Sequence, residues 1–221
     1  MSAQRPWLVL DTAAPVAVVA VVDDGAVLGE HTLSETKRHA EGLIDAIDRA
    51  LLLAGVTLDD IEGVGVGRGP GSFIGVRTGI ATAKGITLAR GRPLIGLSTL
   101  LALAATPELP DGAGLALIDA KRGEVYAQLV ERRAGVVRAV DPPAALAPAD
   151  ATARAAGLAF VVGSGLDVDA TAATVRVARP GPTALGLAQV LRQRQAEGAA
   201  DETDALVPDY CRPPDAKLPA R

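Results

Sequence analysis

Residues 64–88 constrain the fold of this chain more than any other stretch of its 221 residues. Their order predicts a short buried strand at Val64–Gly67, a glycine-proline turn at 68–71 and a helix from Ser72 to residue 88. Ser72 is expected to cap this helix, because its hydroxyl can accept a hydrogen bond from an unpaired amide of the first turn.

The predicted helix carries a stripe of small residues. At about 100° per residue, Gly75, Gly79 and Ala83 fall on one face. Each interior glycine should cost the helix about 1 kcal/mol relative to alanine. A helix that tolerates this cost usually brings another backbone close, so the stripe is expected to face either the chain's own interior or a partner protein.

The glycine-rich loop before the helix consists of Gly67, Arg68, Gly69, Pro70, Gly71 and Ser72. Such a loop can bind a phosphate through free amides at a helix N-terminus. The P-loop pattern requires Gly-Lys followed by Ser or Thr, whereas residues 71–73 read Gly-Ser-Phe. The ordinary interpretation is a tight turn that leads into a closely packed helix.

Hydrophobic periodicity predicts the other elements. In the first half, strands are predicted at Trp7–Asp11, 16–22, Ala26–Leu33 and 93–97. Helices are predicted at His39–Ala54 and 99–105. Residues 23–25 are a hairpin signal between the second and third strands, and Gly55 suits the C-terminal cap of the first helix.

Residues 106–114 are rich in proline and glycine and predict a boundary between domains 1–106 and 107–221. The pattern then begins again, because Leu10-Asp11 and Ile118-Asp119 each close an apolar strand. In the second half, further strands are predicted at 124–131, 136–140 and 159–163, and helices at 149–156 and 183–195. Residues 209–221, with three prolines, are expected to form an extended, partly mobile tail.

Composition narrows the classes of function. Hydrophobic residues make up 49% of the chain, enough for a packed core in one or two domains. A net charge of -4 and few aromatic residues argue against independent binding of nucleic acid. Cys211 is the single cysteine, which excludes an internal disulfide and fits a reducing compartment. No signal peptide or membrane-spanning run is predicted, so a soluble, cytoplasmic protein is expected.

Five segments resemble a known family. They are residues 67–79 (GRGPGSFIGVRTG), 8–12 (LVLDT), 95–100 (IGLSTL), 118–126 (IDAKRGEVY) and 207–212 (VPDYCR). On these segments, which extend over nearly the whole chain, the sequence resembles the TsaB (YeaZ) family. Ile74 stands where that family usually has threonine.

The resemblance implies an α/β fold of duplicated actin-like (ASKHA, RNase H-like) subdomains, each a mixed five-stranded sheet with flanking helices. It implies a non-catalytic dimerisation subunit of the bacterial machinery that places threonylcarbamoyl on the adenosine beside the tRNA anticodon. The implied partners are a larger catalytic paralogue (TsaD-like) and an accessory ATPase (TsaE-like). A homodimer when alone, contact with tRNA only through the complex, no membrane and no cofactor complete this expectation.

The resemblance also places the subunit contact on the helices at 39–54 and 73–88. The predicted interface residues are Leu43, Ile47, Phe73, Gly75, Val76, Gly79, Ile80 and Ala83. The alternative is that the stripe of small residues packs against the chain's own sheet and the partner binds elsewhere.

Candidate catalytic groups are few. His31 and His39 lack the spacing and the third ligand of a metal site, so no metal is expected. Ser72 lies in Gly-Ser-Phe-Ile-Gly rather than Gly-x-Ser-x-Gly, so no catalytic residue is predicted. Asp11 and Asp119 end strands where the related ATPases hold Mg-nucleotide. They predict either a vestigial nucleotide site or carboxylates that cap turns, and the second is preferred.

Two functions remain from the sequence. One is a non-catalytic partner protein, and the other is an enzyme of the same fold, namely an ATPase, a small-molecule kinase or a peptidase. The lack of a metal-ligand set, a P-loop and a nucleophile-base pair favours the first.

Overall fold

The computed structural model describes residues 5–34, 39–164, 175–199 and 202–211. Within these ranges it contains eleven strands and five helices. The strands are β1 (Trp7–Asp11), β2 (Ala17–Asp23), β3 (Ala26–Leu33), β4 (Val64–Gly67), β5 (Leu94–Leu97), β6 (Gly112–Lys121), β7 (Glu124–Arg133), β8 (Val136–Ala139), β9 (Ala144–Leu146), β10 (Phe160–Gly163) and β11 (Val175–Ala178). The helices are α1 (His39–Ala54), α2 (Phe73–Arg90), α3 (Thr99–Ala104), α4 (Pro148–Ala155) and α5 (Ala184–Ala196).

The first sheet contains the five predicted strands in the order β3-β2-β1-β4-β5. The β1–β2 and β2–β3 pairs are antiparallel, and β1, β4 and β5 run parallel. The valine-rich strands β1 and β2 are buried along almost their whole length, as expected for central strands covered on both faces. Asp24 and Gly25 join β2 to β3 with positive φ angles, which confirms the predicted hairpin.

The second sheet corrects the expectation of five strands, because it has six. Its order is β11-β10-β6-β7-β8, and the short strand β9 pairs with β7 beyond the end of β8. Strand β9 has the sequence Ala-Ala-Leu, which lacks the β-branched residues that indicate a strand. The α/β fold itself, with two mixed sheets and flanking helices, is as predicted.

The elements stack in five layers. Helices α1 and α2 cover the outer face of the first sheet, and α4 covers the outer face of the second. Helices α3 and α5 lie between the two sheets in the largest hydrophobic core. Helix α3 follows the first sheet in sequence but packs on β6 and β7, whereas α5 packs on the first sheet. The division into domains 1–106 and 107–221 therefore stays a prediction, with one helix from each half packed on the other half.

Among the described residues, no helix combines the length and the apolar character that crossing a membrane requires.

Candidate functional site

The glycine-rich loop packs on the turn between β1 and β2. A Cβ on Gly67 would come within 2.0 Å of the Asp11 Oδ2 atom, and a Cβ on Gly71 within 2.3 Å of the Ala13 carbonyl oxygen. The amide of Ser72 donates to the same carbonyl oxygen at 2.7 Å. Glycine is needed at both positions because any side chain would collide with these oxygens.

Two further contacts hold this loop. The Ser72 hydroxyl accepts from the Gly75 amide at 3.2 Å, which confirms the predicted N-cap of α2. The Gly69 carbonyl accepts from the Thr99 amide at the start of α3 at 3.1 Å, and the peptide bond from Gly69 to Pro70 is cis. The loop therefore joins β4, α2 and α3, and its glycines serve close packing.

The stripe of small residues on α2 faces the chain's own interior. A Cβ on Gly75 would lie 2.0 Å from the Thr12 carbonyl oxygen, and a Cβ on Gly79 would lie 2.4 Å from the Thr12 Oγ1 atom. The Thr12 hydroxyl donates to the Gly75 carbonyl at 2.6 Å. The backbone that these glycines approach is thus the end of β1, not a partner.

This packing covers most of the predicted interface residues, and the interface itself stays a prediction. Seven of its eight residues are buried in the chain, namely Leu43, Ile47, Gly75, Val76, Gly79, Ile80 and Ala83. Only Phe73 is exposed, with half of its surface open to solvent. The periodicity correctly placed the stripe on one face of the helix, but the chain's own sheet covers that face.

The opposite face of α2 is open and partly apolar. It carries Ile74, Thr78, Ala81, Gly85 and Leu88, and Ile74 and Leu88 are 72% and 67% exposed. We call these five residues the outer seam. Their four-three spacing is that of a helix–helix contact. The same spacing is visible in the sequence, but the predicted interface was placed on the stripe of small residues instead.

Helix α1, which lies beside α2, also exposes large apolar side chains. Ile44, Leu52 and Leu53 are more than half exposed. Isolated exposed leucines are ordinary, whereas several on neighbouring helices indicate an interaction surface.

Asp11 is fully buried and bonded within the chain. Its Oδ1 atom accepts from the Ala13 amide at 2.8 Å, and its Oδ2 atom accepts from the Thr99 hydroxyl at 2.7 Å. Burial raises the pKa of Asp11 from an ordinary 3.8 to about 6, although the hydrogen bonds from Thr99, Ala13 and Ala14 work in the opposite direction. The carboxylate caps the β1–β2 turn and ties it to α3.

Asp119 lies in a different environment. It lines a cavity of about 700 Å³ between the two sheets, whose wall also includes Ala13, Pro15, Ser72, Phe73, Arg77, Ile118, Lys121, Tyr126, Asp209 and Tyr210. Partial burial works against its charge, but hydrogen bonds from the Lys121 ammonium and amide outweigh burial and lower the pKa of Asp119. Asp11 is not part of this wall, so the structure does not place the two aspartates of the predicted nucleotide site in one cavity.

The segment from residue 202 to 211 was not expected to be an organising element. Asp209 pairs with Arg68 of the glycine-rich loop through two hydrogen bonds, of 2.8 and 2.5 Å. Glu202 accepts from the Gly96 amide at 2.7 Å, and Leu206 is buried against the first sheet. The expected tail is therefore anchored at Asp209 and Tyr210, and residues 212–221 lie outside the described part of the chain.

The two histidines lie on different elements. His31 lies on β3 and His39 begins α1. Among the residues that the structure describes, no group of three histidine, cysteine, aspartate or glutamate side chains is arranged to hold a metal ion.

Comparisons with known proteins extend these observations. Residues 26–183 match the family model described as TsaD, tRNA N6-adenosine threonylcarbamoyltransferase. The TsaB protein of Escherichia coli K12 is 40% identical over 121 residues, which are 54% of this chain and 52% of that protein. A Pseudomonas aeruginosa crystal structure, titled an uncharacterized protein with similarity to peptidase YEAZ, superposes with a TM-score of 0.83 at 29% identity, over 95% of this chain and 100% of that one. The chain belongs to the TsaB (YeaZ) family.

One further relative matches nearly the full length of the chain. An uncharacterized protein of Mycobacterium tuberculosis H37Rv is 34% identical over 219 residues, 95% of this chain and 93% of that protein. The match to E. coli TsaB, by contrast, spans about half of that curated relative. In this TsaB-family chain the glycine-rich loop belongs to the packing of α2, and the open outer seam lies on the reverse side of the same helix.

Proposed function

We propose that this chain is a non-catalytic subunit required for threonylcarbamoyladenosine formation in tRNA, and that it acts by pairing with a larger TsaD-like paralogue. Membership of the TsaB family, together with the match of residues 26–183 to the TsaD family model, carries this proposal. A scaffold shared with the transferase supports a partnership between the two proteins.

The bonding of Asp11 supports a non-catalytic role. Both of its carboxylate oxygens accept hydrogen bonds from the chain itself, and no part of the side chain is exposed. A carboxylate in that state is a structural cap rather than a ligand for nucleotide or metal. Ser72 likewise uses its hydroxyl to cap α2.

The outer seam is the surface that we assign to the paralogue. Two helices pack closely where small residues sit at the centre of the contact and larger apolar residues flank them. In the seam Ala81 and Gly85 are the small residues, and Ile74 and Leu88 are the flanks. The seam also suits a second copy of this chain when the paralogue is absent. A TsaE-like ATPase joins the same complex in this proposal. tRNA is bound through the assembled complex, because the chain alone carries a net charge of -4.

Ala81→Glu should weaken pairing strongly without unfolding the chain. Residue 81 is exposed at the middle of the seam, so the charge costs nothing in the free chain but would be buried without a partner in the complex. We expect the affinity for the paralogue to fall by about a hundredfold or more in a titration by calorimetry. Ala153→Glu, an exposed position on α4, is the matched control. Equal affinities for both variants would exclude the seam.

Depletion of the protein should remove threonylcarbamoyladenosine from tRNA. Because the chain is proposed to be required without performing the transfer, the purified chain alone should transfer no threonylcarbamoyl. Mass spectrometry of nucleosides from total tRNA, before and after depletion, provides the measurement. A normal level of the modified nucleoside after complete depletion would contradict the proposal.

A further inference from the structure

Arg77 is held in place at the mouth of the cavity by two aromatic rings. The central carbon of its guanidinium lies 3.7 Å from the centroid of the Phe73 ring. Its Nε atom donates to the Tyr210 hydroxyl at 2.9 Å, and the Phe73 and Tyr210 ring centroids are 5.8 Å apart. An arginine fixed in this way has its planar guanidinium oriented before any ligand arrives.

The two terminal amino groups of Arg77 have no partner in the described part of the chain. Neither makes a hydrogen bond or an ion pair with any residue that the structure describes. Arg68 of the glycine-rich loop, by contrast, is bonded to Asp209. A stacked guanidinium with two free parallel donors is the geometry that binds a carboxylate or phosphate through two hydrogen bonds.

Tyr210 owes its position to the anchored C-terminal segment. The bidentate bond between Arg68 and Asp209 fixes the residue immediately before it, and the Asp209 amide also donates to the Arg68 carbonyl at 2.8 Å. The segment thereby fixes the ring that orients Arg77.

The neighbourhood of Arg77 is that of a protein interface. Phe73 and Tyr210 are each half exposed, and Ile74, 72% exposed, belongs both to the cavity wall and to the outer seam. Exposed tyrosine, phenylalanine and arginine in one cluster are typical of the residues that dominate binding energy between proteins. Arg77 lies beside the outer seam, within reach of a partner that covers Ile74.

Resting on the function proposed above, we propose that Arg77 is the residue of this chain that recognises an acidic side chain of the paralogue. The two terminal amino groups hold one Asp or Glu carboxylate, while Phe73 and Tyr210 exclude water from the pair. A protein carboxylate is favoured over an RNA phosphate because RNA brings many negative charges against a chain that is acidic overall.

The test is the affinity of the full chain for the purified paralogue, measured by calorimetry for five proteins. These are the wild type, Arg77→Ala, Arg77→Lys, Tyr210→Phe and the control Arg138→Ala, which removes an exposed arginine of β8. We expect Arg77→Ala to bind about ten- to a hundredfold more weakly and Arg138→Ala to stay within about twofold of the wild type. Arg77→Lys should recover little of the loss, since an ammonium cannot replace two parallel donors. Tyr210→Phe should lose about threefold by releasing Nε.

Each other outcome overturns the inference. Arg77→Ala within twofold of the wild type would do so while leaving the proposed pairing intact, and full rescue by Arg77→Lys would show that only a point charge is needed. If Arg77→Ala weakens tRNA binding by the assembled complex and leaves the affinity for the paralogue unchanged, the residue contacts RNA instead. If the wild-type chain does not bind the paralogue at all, the proposed function fails and the inference fails with it.

Discussion

Gly75→Ala should destabilise the chain by about 2 kcal/mol or more, whereas Gly85→Ala, on the same helix, should stabilise it by about 0.5–1 kcal/mol. At residue 75 a new Cβ would stand 2.0 Å from the Thr12 carbonyl oxygen, and backbone cannot move aside cheaply. At residue 85 nothing lies within 4 Å of the new methyl group, so only the gain in helix propensity remains.

Urea unfolding of both variants, followed by circular dichroism, checks this pair. Because the two substitutions are chemically identical and both lie inside α2, their difference reports only what each face of the helix meets. Equal stabilities would contradict the packing of the small stripe against β1. The pairing proposed above provides a second readout: a methyl group at residue 85 points away from the chain toward the proposed partner, while one at residue 75 meets Thr12.

Asp11→Asn should remove a loss of about 3 kcal/mol in the free energy of unfolding that the wild type suffers as the pH rises. The pKa of this carboxyl is about 6 in the folded chain against 3.8 ordinarily, so the unfolded chain releases its proton first as the pH rises. The folded chain binds the Asp11 proton more tightly than the unfolded chain does. The stability that comes from this proton is fully present below pH 3.8 and is lost as the pH rises through about 6. Asparagine does not ionise, can still accept from the Ala13 amide and can donate to the Thr99 oxygen.

The measurement is the free energy of unfolding of wild type and variant at several pH values from about 3.5 to 7.5. The difference between them should move in favour of Asp11→Asn by about 3 kcal/mol across this range. Asp48→Asn, at an exposed position of α1, controls for the loss of one charge. A difference between Asp11→Asn and wild type that stays constant with pH would show that burial of Asp11 does not oppose its charge.

Local sequence signals predicted most elements of the fold. The hairpin at Asp24–Gly25, the Ser72 cap and the boundaries of α1 depend on contacts between near neighbours, so the order of residues was sufficient. Strands β9 and β11 were not predicted. The first is too short and too rich in alanine, and the second pairs with β10 only after a long intervening segment.

The candidate site was predicted less well, because its contacts join distant parts of the chain. Arg68 and Asp209 are 141 residues apart, and no local pattern links them. The hydrogen bond between Arg77 and Tyr210 spans 133 residues. Segments 67–79 and 207–212 both carry the family resemblance. Only the folded chain shows that Tyr210 of the second segment orients Arg77 of the first.

The sequence by itself determined that Gly75, Gly79 and Ala83 share one face of α2, since helical periodicity follows from covalent geometry. What covers that face was decided by the tertiary structure. The end of β1 lies against the stripe and leaves the outer seam open, and a periodic pattern is the same whether the covering backbone belongs to this chain or to a partner. The charge state of Asp11 depends on the same distinction, because its pKa is set by the burial that neighbouring strands and α3 impose.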